Sequence, residues 1–195
     1  MKKNGNNTKS RIVTTAWKLF YQYGYEKTTI DDIVEASQTS KGSFYHYFSS
    51  KDALLSSLSY LFDEKYSELS ETMDPSLSPI EKLILMNQEL FLVIENTVPV
   101  SFLSQLFSSQ LNPKSDRYLL DPDRTYYKLL RQIAVEGKDS DIFRDDLTIN
   151  DITKAYAIFE RAIMYDWCMS NGNYSLLQYS AQMLPLFLSG LQKQK

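Results

Sequence analysis

Apolar residues recur along most of the chain at the three- and four-residue spacing of amphipathic helices. The first such stretch places six apolar residues on one face: Ile12, Val13, Ala16, Leu19, Phe20 and Tyr23. Gly24 follows, where a left-handed residue commonly ends a helix. Alternation of apolar and polar residues never persists beyond a few positions, so the pattern predicts an all-α chain of about nine helices.

A short helix with a clear start signal is predicted next. Thr28 or Thr29 can cap it, and Asp31 and Asp32 lie in its first turn, where negative charge suits the helix dipole. It ends near Ala36, and a tight turn follows. The short length and the turn together resemble the first half of a helix-turn-helix unit.

The next helix, residues 40–47, has the features of a recognition helix. Ser40 can cap it, and Phe44 and Phe48, four residues apart, face the core. Gly42 and Ser43 are small, so the start of this helix can approach a phosphate or a base edge closely. The side chains that fan outward offer hydrogen-bond donors to phosphate oxygens: Tyr45, His46 and Tyr47.

Proline positions divide the remainder of the chain, because proline interrupts helix interiors. Ser49 and Ser50 precede a fourth predicted helix of about 20 residues. Further helices are predicted near residues 79–96, 100–110, 123–136, 150–170 and 175–192.

Charge is distributed unevenly over the 195 residues, although the net charge is only −3. Residues 1–52 contain eight Lys and Arg against five Asp and Glu, which leaves them at +3, and residues 53–195 carry −6. The basic end suits a polyanion such as DNA. Lys51 adds a charge beside the recognition helix, and a basic arm is predicted from Lys2, Lys3, Lys9 and Arg11.

Several classes of protein are disfavoured by what the sequence contains. The single histidine, His46, has no second His or Cys at ligand spacing, so we expect no metal and no cofactor. The sequence has no Ser/His/Asp grouping and no glycine-rich phosphate loop, so we expect no enzyme. Apolar runs are too short for a membrane span, and the polar, basic start predicts no signal peptide. We therefore expect a cytoplasmic protein that does not associate with membranes.

The run from Thr28 to Leu54, TTIDDIVEASQTSKGSFYHYFSSKDAL, preceded by Ala16, Phe20 and Gly24-Tyr25, resembles the DNA-binding domain of the TetR family of transcriptional regulators. The resemblance implies a three-helix helix-turn-helix domain over residues 1–52 and an effector-binding and dimerisation domain over residues 53–195. It implies DNA contacts from Thr29, Ser40, Lys41, Gly42, Ser43, Tyr45, Tyr47 and Lys51, with His46 ranked below them.

The same resemblance implies a ligand pocket and a homodimer built by the last two long helices. Bulky candidates for the pocket, each with an ordinary core role as the alternative, are Phe62, Tyr66, Met86, Phe91, Phe102, Phe107, Tyr126, Tyr127 and Trp167. Candidates for the dimer interface are Ile158, Ala162, Ile163, Leu177, Ala181, Leu184 and Leu188. Four acidic residues that interrupt apolar helices could pair with a cationic ligand, although a solvated face is the favoured interpretation of each: Glu89, Glu95, Glu160 and Asp166.

These features predict a one-component regulator, with a repressor favoured over an activator. It binds a pseudo-palindromic operator as a dimer and is released by a small-molecule effector. A second hypothesis stays open at this point. It is a DNA-binding adaptor whose C-terminal domain binds a protein partner instead of a small molecule.

Overall fold

Ten α-helices and one 3₁₀ turn, Tyr118–Leu120, account for most of the residues that the computed structural model describes, which are 3–55, 57–111 and 117–193. Side chains of residues 3–7 and 58–61 fall outside this description. The described residues contain no β-strand, only one isolated bridge between Phe143 and Gln192. The predicted all-α class is confirmed. The chain separates into two compact units, Met1–Tyr60 and Leu61–Lys195.

The first unit contains four helices: α1 (Lys3–Tyr23), α2 (Ile30–Ala36), α3 (Lys41–Tyr47) and α4 (Asp52–Leu55). Its core joins α1 to the next two helices through buried side chains, namely Ile12, Ala16, Phe20, Ile33, Phe44 and Phe48. Two expectations for this unit are wrong. Tyr23 is 54% exposed, because the helix ends there. The segment holding Lys3, Lys9 and Arg11 is part of α1 instead of an extended arm, and Lys2 lies outside the described residues.

The second unit is built from longer helices: α5 (Ser57–Thr72), α6 (Pro79–Thr97), α7 (Val100–Leu111), α8 (Thr125–Asp139), α9 (Ile149–Met169) and α10 (Leu176–Ser189). The unit boundary falls within α5. The single fourth helix of the prediction is therefore described as α4 and α5, with residue 56 outside the described part. Helix α6 packs against α8 and α10, and α9 packs against α7, α8 and α10.

Helix starts in both units follow from side-chain caps that the sequence already shows. Thr29, Ser78 and Thr148 each accept a hydrogen bond from the backbone N–H three residues later, and an acidic side chain bonds back in a capping box. Pro79 occupies the first turn of α6, where its missing N–H is not needed.

Helices α6 and α7 form a largely apolar, bent pair within the second unit. Among the described residues, no single helix has both the length and the hydropathy to cross a membrane. The two helices meet that test only when taken together, and the chain bends by 115° between them.

The connection after α8 depends on close packing at Gly137. The Ile142 N–H donates to the Gly137 carbonyl at 2.9 Å, and the Phe143 ring lies where a side chain at position 137 would begin. Phe143 is 1% exposed, so its ring has little room to move. The N–H of Arg144 donates to the Leu191 carbonyl at 3.0 Å, which ties this connection to the end of α10.

We expect Gly137→Ala to destabilise the chain by roughly 1–3 kcal/mol, because its methyl group overlaps the buried Phe143 ring. Gly42→Ala is the matched control. Its added methyl meets only the Ser40 hydroxyl at 3.7 Å, so replacing a helical glycine there leaves stability unchanged or raises it by up to about 1 kcal/mol. Urea titrations followed by circular dichroism measure both. Equal midpoints for the two variants would contradict this packing.

Candidate nucleic-acid interface and ligand cavity

The turn before α3 has a defined, partly strained backbone. Gln38 has a φ of 51°, in the left-handed region that costs a non-glycine residue about 1 kcal/mol. Backbone hydrogen bonds hold it: the Gln38 N–H donates to Glu35 O and the Thr39 N–H donates to Val34 O, both at 3.0 Å. Arg11 Nη2 donates to the Gln38 carbonyl at 3.4 Å. The direction of α3 after α2 is therefore set by this turn.

Helix α3 begins as the sequence predicts, with Ser40 as its cap. Ser40 has extended dihedral angles, and its Oγ accepts from the Ser43 N–H at 3.0 Å. Phe44 is fully buried and Phe48 is 5% exposed, so they attach the helix to the core. The opposite face of α3 is left to solvent.

The predicted DNA-contacting residues divide by exposure. Exposed are Thr29, Ser40, Lys41, Gly42, Tyr45 and His46, and half-buried are Ser43, Tyr47 and Lys51. Lys41 forms an ion pair with Asp31 at 2.7 Å, and both side chains are about two-thirds exposed. The structure brings most of this set together at α3 and its two flanking turns. Their contacts with DNA stay a prediction.

Lys51 has a structural role that its position in the sequence does not predict. Its Nζ donates to the backbone carbonyls of Tyr25 and Thr28 at 2.9 and 3.0 Å, and it lies 4.2 Å from the centre of the Tyr25 ring. The Tyr25 hydroxyl in turn donates to Asp52. Lys51 therefore holds the segment after α1 to the start of α4.

A cavity lies among α5, α6, α7, α8 and α9 of the second unit. Its walls are mainly apolar, and its lining residues are Phe62, Tyr66, Leu90, Leu103, Leu106, Phe107, Leu119, Arg124, Tyr126, Ala157, Glu160, Arg161 and Met164. The space open to the centres of water molecules is about 40 Å³. That is room for about three waters, at the 10–15 Å³ that each requires.

The cavity includes some of the predicted pocket residues and leaves out others. Phe62, Tyr66, Phe107 and Tyr126 line it. Predicted residues that do not line it are Met86, Phe91, Phe102, Tyr127 and Trp167. Of these, Met86, Phe91, Phe102 and Trp167 are buried core side chains. Tyr127 lies just behind the wall, because its hydroxyl accepts from Arg161 at 3.0 Å.

Two arginines in the cavity wall were missed by the sequence analysis. Arg124 forms a two-pronged ion pair with Asp63, with N–O distances of 3.0 and 3.2 Å. Arg161 is half-buried, and none of the ion pairs among the described residues includes it. No local pattern marks either residue, because an arginine on an amphipathic helix is ordinarily solvated.

Glu160 is buried, which makes its expected place on a solvated face wrong. It is 1% exposed and accepts from Asn87 Nδ2 at 3.0 Å and from the Tyr126 hydroxyl at 2.8 Å. Asn87 Oδ1 accepts from the Ser180 hydroxyl at 2.6 Å. The network joins α6, α8, α9 and α10. Burial raises the pKa of Glu160 above its usual value, and these donors and the nearby Arg161 oppose that rise.

Helices α9 and α10 expose apolar side chains, although only part of the predicted dimer set is among them. Ile158, Ala162 and Ala181 are exposed, and Ile163 and Leu177 are half-buried. Leu184 and Leu188 are each 1% exposed within the single chain, so their assignment to a partner-facing surface is wrong. They continue the buried stripe of Leu176 and Ser180 at four-residue spacing.

Four large exposed side chains on the same two helices lie outside the predicted dimer set: Tyr165, Met169, Tyr179 and Leu186. The described residues contain no cluster of three or more His, Cys, Asp or Glu able to hold a metal.

We expect Glu160→Gln to change how stability depends on pH. A raised pKa means that the folded chain holds the proton more tightly than the unfolded chain does. This contribution is complete below the unfolded pKa of about 4.3 and is lost as pH rises through the folded pKa. The free energy of unfolding of the wild type therefore falls, relative to the variant, as pH increases from about 4.3.

Urea titrations at a series of pH values measure this difference. Glu81→Gln is the control of opposite sign, because hydrogen bonds from Ser78 lower the pKa of Glu81. Its stabilising contribution is lost as pH falls through that lowered pKa. Parallel curves for the wild type and Glu160→Gln would show that Glu160 does not titrate differently in the folded chain.

Comparisons with known proteins agree with this architecture. The model of bacterial regulatory proteins of the tetR family matches residues 12–58, and the model of the C-terminal region of YsiA-like protein matches residues 61–190. The transcriptional repressor KstR2 of Mycobacterium tuberculosis strain H37Rv is 24% identical over 194 residues, which cover 97% of this chain and 95% of the relative.

Solved structures show the same fold. FadR from Bacillus subtilis, in complex with stearoyl-CoA, has a TM-score of 0.74 at 21% identity, covering 93% of this chain and 98% of that one. FadR from Thermus thermophilus, in complex with lauroyl-CoA, has a TM-score of 0.73 at 21% identity, covering 95% and 96%.

Both parts of the chain thus match regulators, in agreement with the exposed recognition helix and the helical second unit. The matched family consists of regulators, which confirms that the chain is not an enzyme. The chain belongs to the TetR family of transcriptional regulators.

Proposed function

We propose that this regulator is a homodimeric, cytoplasmic repressor that binds a pseudo-palindromic operator and leaves it when a small molecule enters the cavity. The observation that carries this is the exposed, capped face of α3 within the region that matches the tetR model. The turn at Gln38 sets the direction of that helix. Its first residues meet base edges and phosphates in the major groove.

The dimer is proposed to form through α9 and α10. Ile158, Ala162, Tyr165 and Met169 follow the i, i+4, i+7, i+11 spacing of one face of α9, and all four are exposed. On α10, Leu186 is 67% exposed. A second copy covering this face would present two recognition helices to half-sites about one helical turn, roughly 34 Å, apart.

The effector is proposed to be an amphipathic molecule of the acyl-CoA class. The cavity walls are mainly apolar, which suits an acyl chain, and Arg124 and Arg161 offer charge to an anionic group. The similar FadR proteins of B. subtilis and T. thermophilus are complexed with stearoyl-CoA and lauroyl-CoA. A cavity with these mainly apolar walls inside the helical second unit supports a small-molecule effector over a protein partner.

Effector binding must widen the cavity. A cavity with room for about three waters is too small for a long acyl chain. The ligand therefore binds a conformation of the protein with a wider cavity and shifts the population towards that conformation. Helix α5 is placed to take part, because it lines the cavity with Phe62 and Tyr66 and contains the unit boundary.

We expect the full-length protein to select inverted repeats from a randomised duplex library, because two recognition helices related by two-fold symmetry read two half-sites. For the selected duplex, Lys41→Gln lowers the salt dependence of log K by about one per phosphate contacted, and so by about two per dimer. Lys18→Gln, at an exposed position of α1 outside the predicted interface, is the control. Equal binding to random and selected duplexes at physiological salt would refute a specific regulator.

We expect Ala157→Leu to uncouple the effector from the operator. Ala157 is 1% exposed and lines the cavity, so a larger side chain occupies space that the acyl chain needs. Operator affinity stays within about twofold of the wild type, and the dodecanoyl-CoA concentration that releases half of the operator rises at least about tenfold. Fluorescence anisotropy of a labelled operator measures both.

Ala155→Leu, on the same helix but not in the cavity wall, is the control for that substitution. Release of both variants at the wild-type concentration of dodecanoyl-CoA would place the effector outside this cavity.

A further inference from the structure

Three tyrosines are buried in the described part of the second unit, and their hydroxyl groups differ. Tyr126 donates to Glu160 Oε2 at 2.8 Å, and Tyr156 donates to the Leu83 carbonyl at 2.7 Å. The Tyr66 hydroxyl has no hydrogen-bond partner among the described residues. Its side chain is only 1% exposed, so bulk water does not replace that partner.

An unpartnered buried hydroxyl destabilises a folded chain, because it has lost its bonds to water and gained none. A phenylalanine at position 66 would keep the ring contacts without this penalty. The great majority of buried side-chain polar atoms in folded proteins have a partner. The Tyr66 hydroxyl is therefore best explained by a state in which it gains one.

The position of Tyr66 shows what that partner would be. Its side chain lies in the cavity wall, and its ring centre is 5.0 Å from that of Tyr126. Arg124 pairs with Asp63, and Arg161, which donates to the neutral Tyr127 hydroxyl, keeps its charge for the anionic part of the effector. Among the described residues of the wall, the Tyr66 hydroxyl is the buried side-chain polar group that has no hydrogen-bond partner.

We propose that the Tyr66 hydroxyl recognises an uncharged oxygen on the apolar part of the effector, a proposal that rests on the proposed function of this cavity. The Tyr66 O–H donates a hydrogen bond to a hydroxyl, carbonyl or ether oxygen of the ligand. The effector is then a hydroxy- or oxo-substituted apolar molecule instead of an unmodified saturated chain. An uncharged oxygen suits this place, because the Tyr66 hydroxyl is a neutral donor in a mainly apolar wall, and the anionic part of the effector is left to Arg124 and Arg161.

This hydrogen bond makes the cavity selective. A plain alkyl chain leaves the Tyr66 hydroxyl without an acceptor, whereas an oxygenated chain supplies one. Since Tyr66 is only 1% exposed to bulk water, the oxygenated ligand gains more from this bond than it would at the surface. The expected preference is about fivefold to tenfold in affinity.

Two matched pairs of probes test the proposal on the full-length protein. The first pair is dodecanoyl-CoA against a series of hydroxydodecanoyl-CoA isomers, with affinities measured by calorimetry. The second is cyclohexanone against methylenecyclohexane, which have nearly the same shape and differ by one oxygen. The methyl resonance of Met164, which lines the cavity, reports the binding of the second pair.

In the wild type we expect at least one hydroxylated isomer to bind about fivefold to tenfold more tightly than dodecanoyl-CoA, and cyclohexanone to bind more tightly than methylenecyclohexane. Tyr66→Phe abolishes both preferences and keeps the affinity for the probes without the oxygen. Tyr156→Phe is the matched control, because Tyr156 does not line the cavity and its buried hydroxyl already donates to the Leu83 carbonyl, beside Glu160. It keeps both preferences.

Stability supplies a readout that needs no ligand. Tyr66→Phe leaves the urea midpoint unchanged or raises it, since no bond is lost, whereas Tyr156→Phe lowers it. If Tyr66→Phe lowered the urea midpoint as much as Tyr156→Phe does, the proposal would be overturned, because the Tyr66 hydroxyl would then have a partner within the chain.

The outcomes separate this proposal from the proposed function. If thioesters release the operator without any preference for oxygen, or if the preference survives in Tyr66→Phe, the role of Tyr66 is wrong and the acyl-CoA class stands. If no thioester binds but Tyr66→Phe abolishes a preference for cyclohexanone, the acyl-CoA class is wrong and the role of Tyr66 stands. No preference in either pair overturns the role of Tyr66.

Discussion

The buried carboxyl group of Glu160 is the constraint on which the second unit depends. A buried carboxyl group costs several kcal/mol unless hydrogen-bond donors surround it, on the order of the penalties for burying polar groups. The donors come from Asn87 on α6 and Tyr126 on α8, and Asn87 is bonded in turn to Ser180 on α10. Apolar packing alone tolerates small shifts of one helix along another, whereas hydrogen bonds of 2.6 to 3.0 Å are broken by such shifts. The network therefore fixes the register of four helices.

The same network connects the cavity to the surface proposed for the dimer. Glu160 and Tyr126 belong to the cavity wall, and Ser180 lies on the helix that also carries the exposed Leu186. Under the proposed function, a ligand that moved Tyr126 would change the bonds of Glu160 and, through Asn87, those of α10. Helix α5 is attached near the same place by Asp63 and Arg124. The effector would thus act on polar contacts that have discrete arrangements, which a two-state response requires.

In the first unit, backbone hydrogen bonds at the Gln38 turn have a comparable structural role, because they fix the direction of α3. Gln38 adopts a left-handed conformation that glycine would adopt without strain, and two backbone bonds and the Arg11 side chain hold it there. Lys51 holds the segment after α1 in a similar way, through two carbonyl groups. These contacts leave the outer face of α3 free, which is the property that a recognition helix needs.

The sequence by itself determined the helices, their caps and the recognition segment, because these depend on residues within a few positions of one another. Ser40, Phe44 and Phe48 show this, since cap and core roles both follow from spacing along one helix. Only the tertiary structure decided which apolar face is covered within the chain, so Leu184 and Leu188 are core while Ile158 is exposed. It also decided that Glu160 is buried and that Arg124, Arg161 and Tyr66 share one cavity. The spacing of residues along one helix does not predict these contacts, because the contacting residues lie tens of positions apart in the sequence.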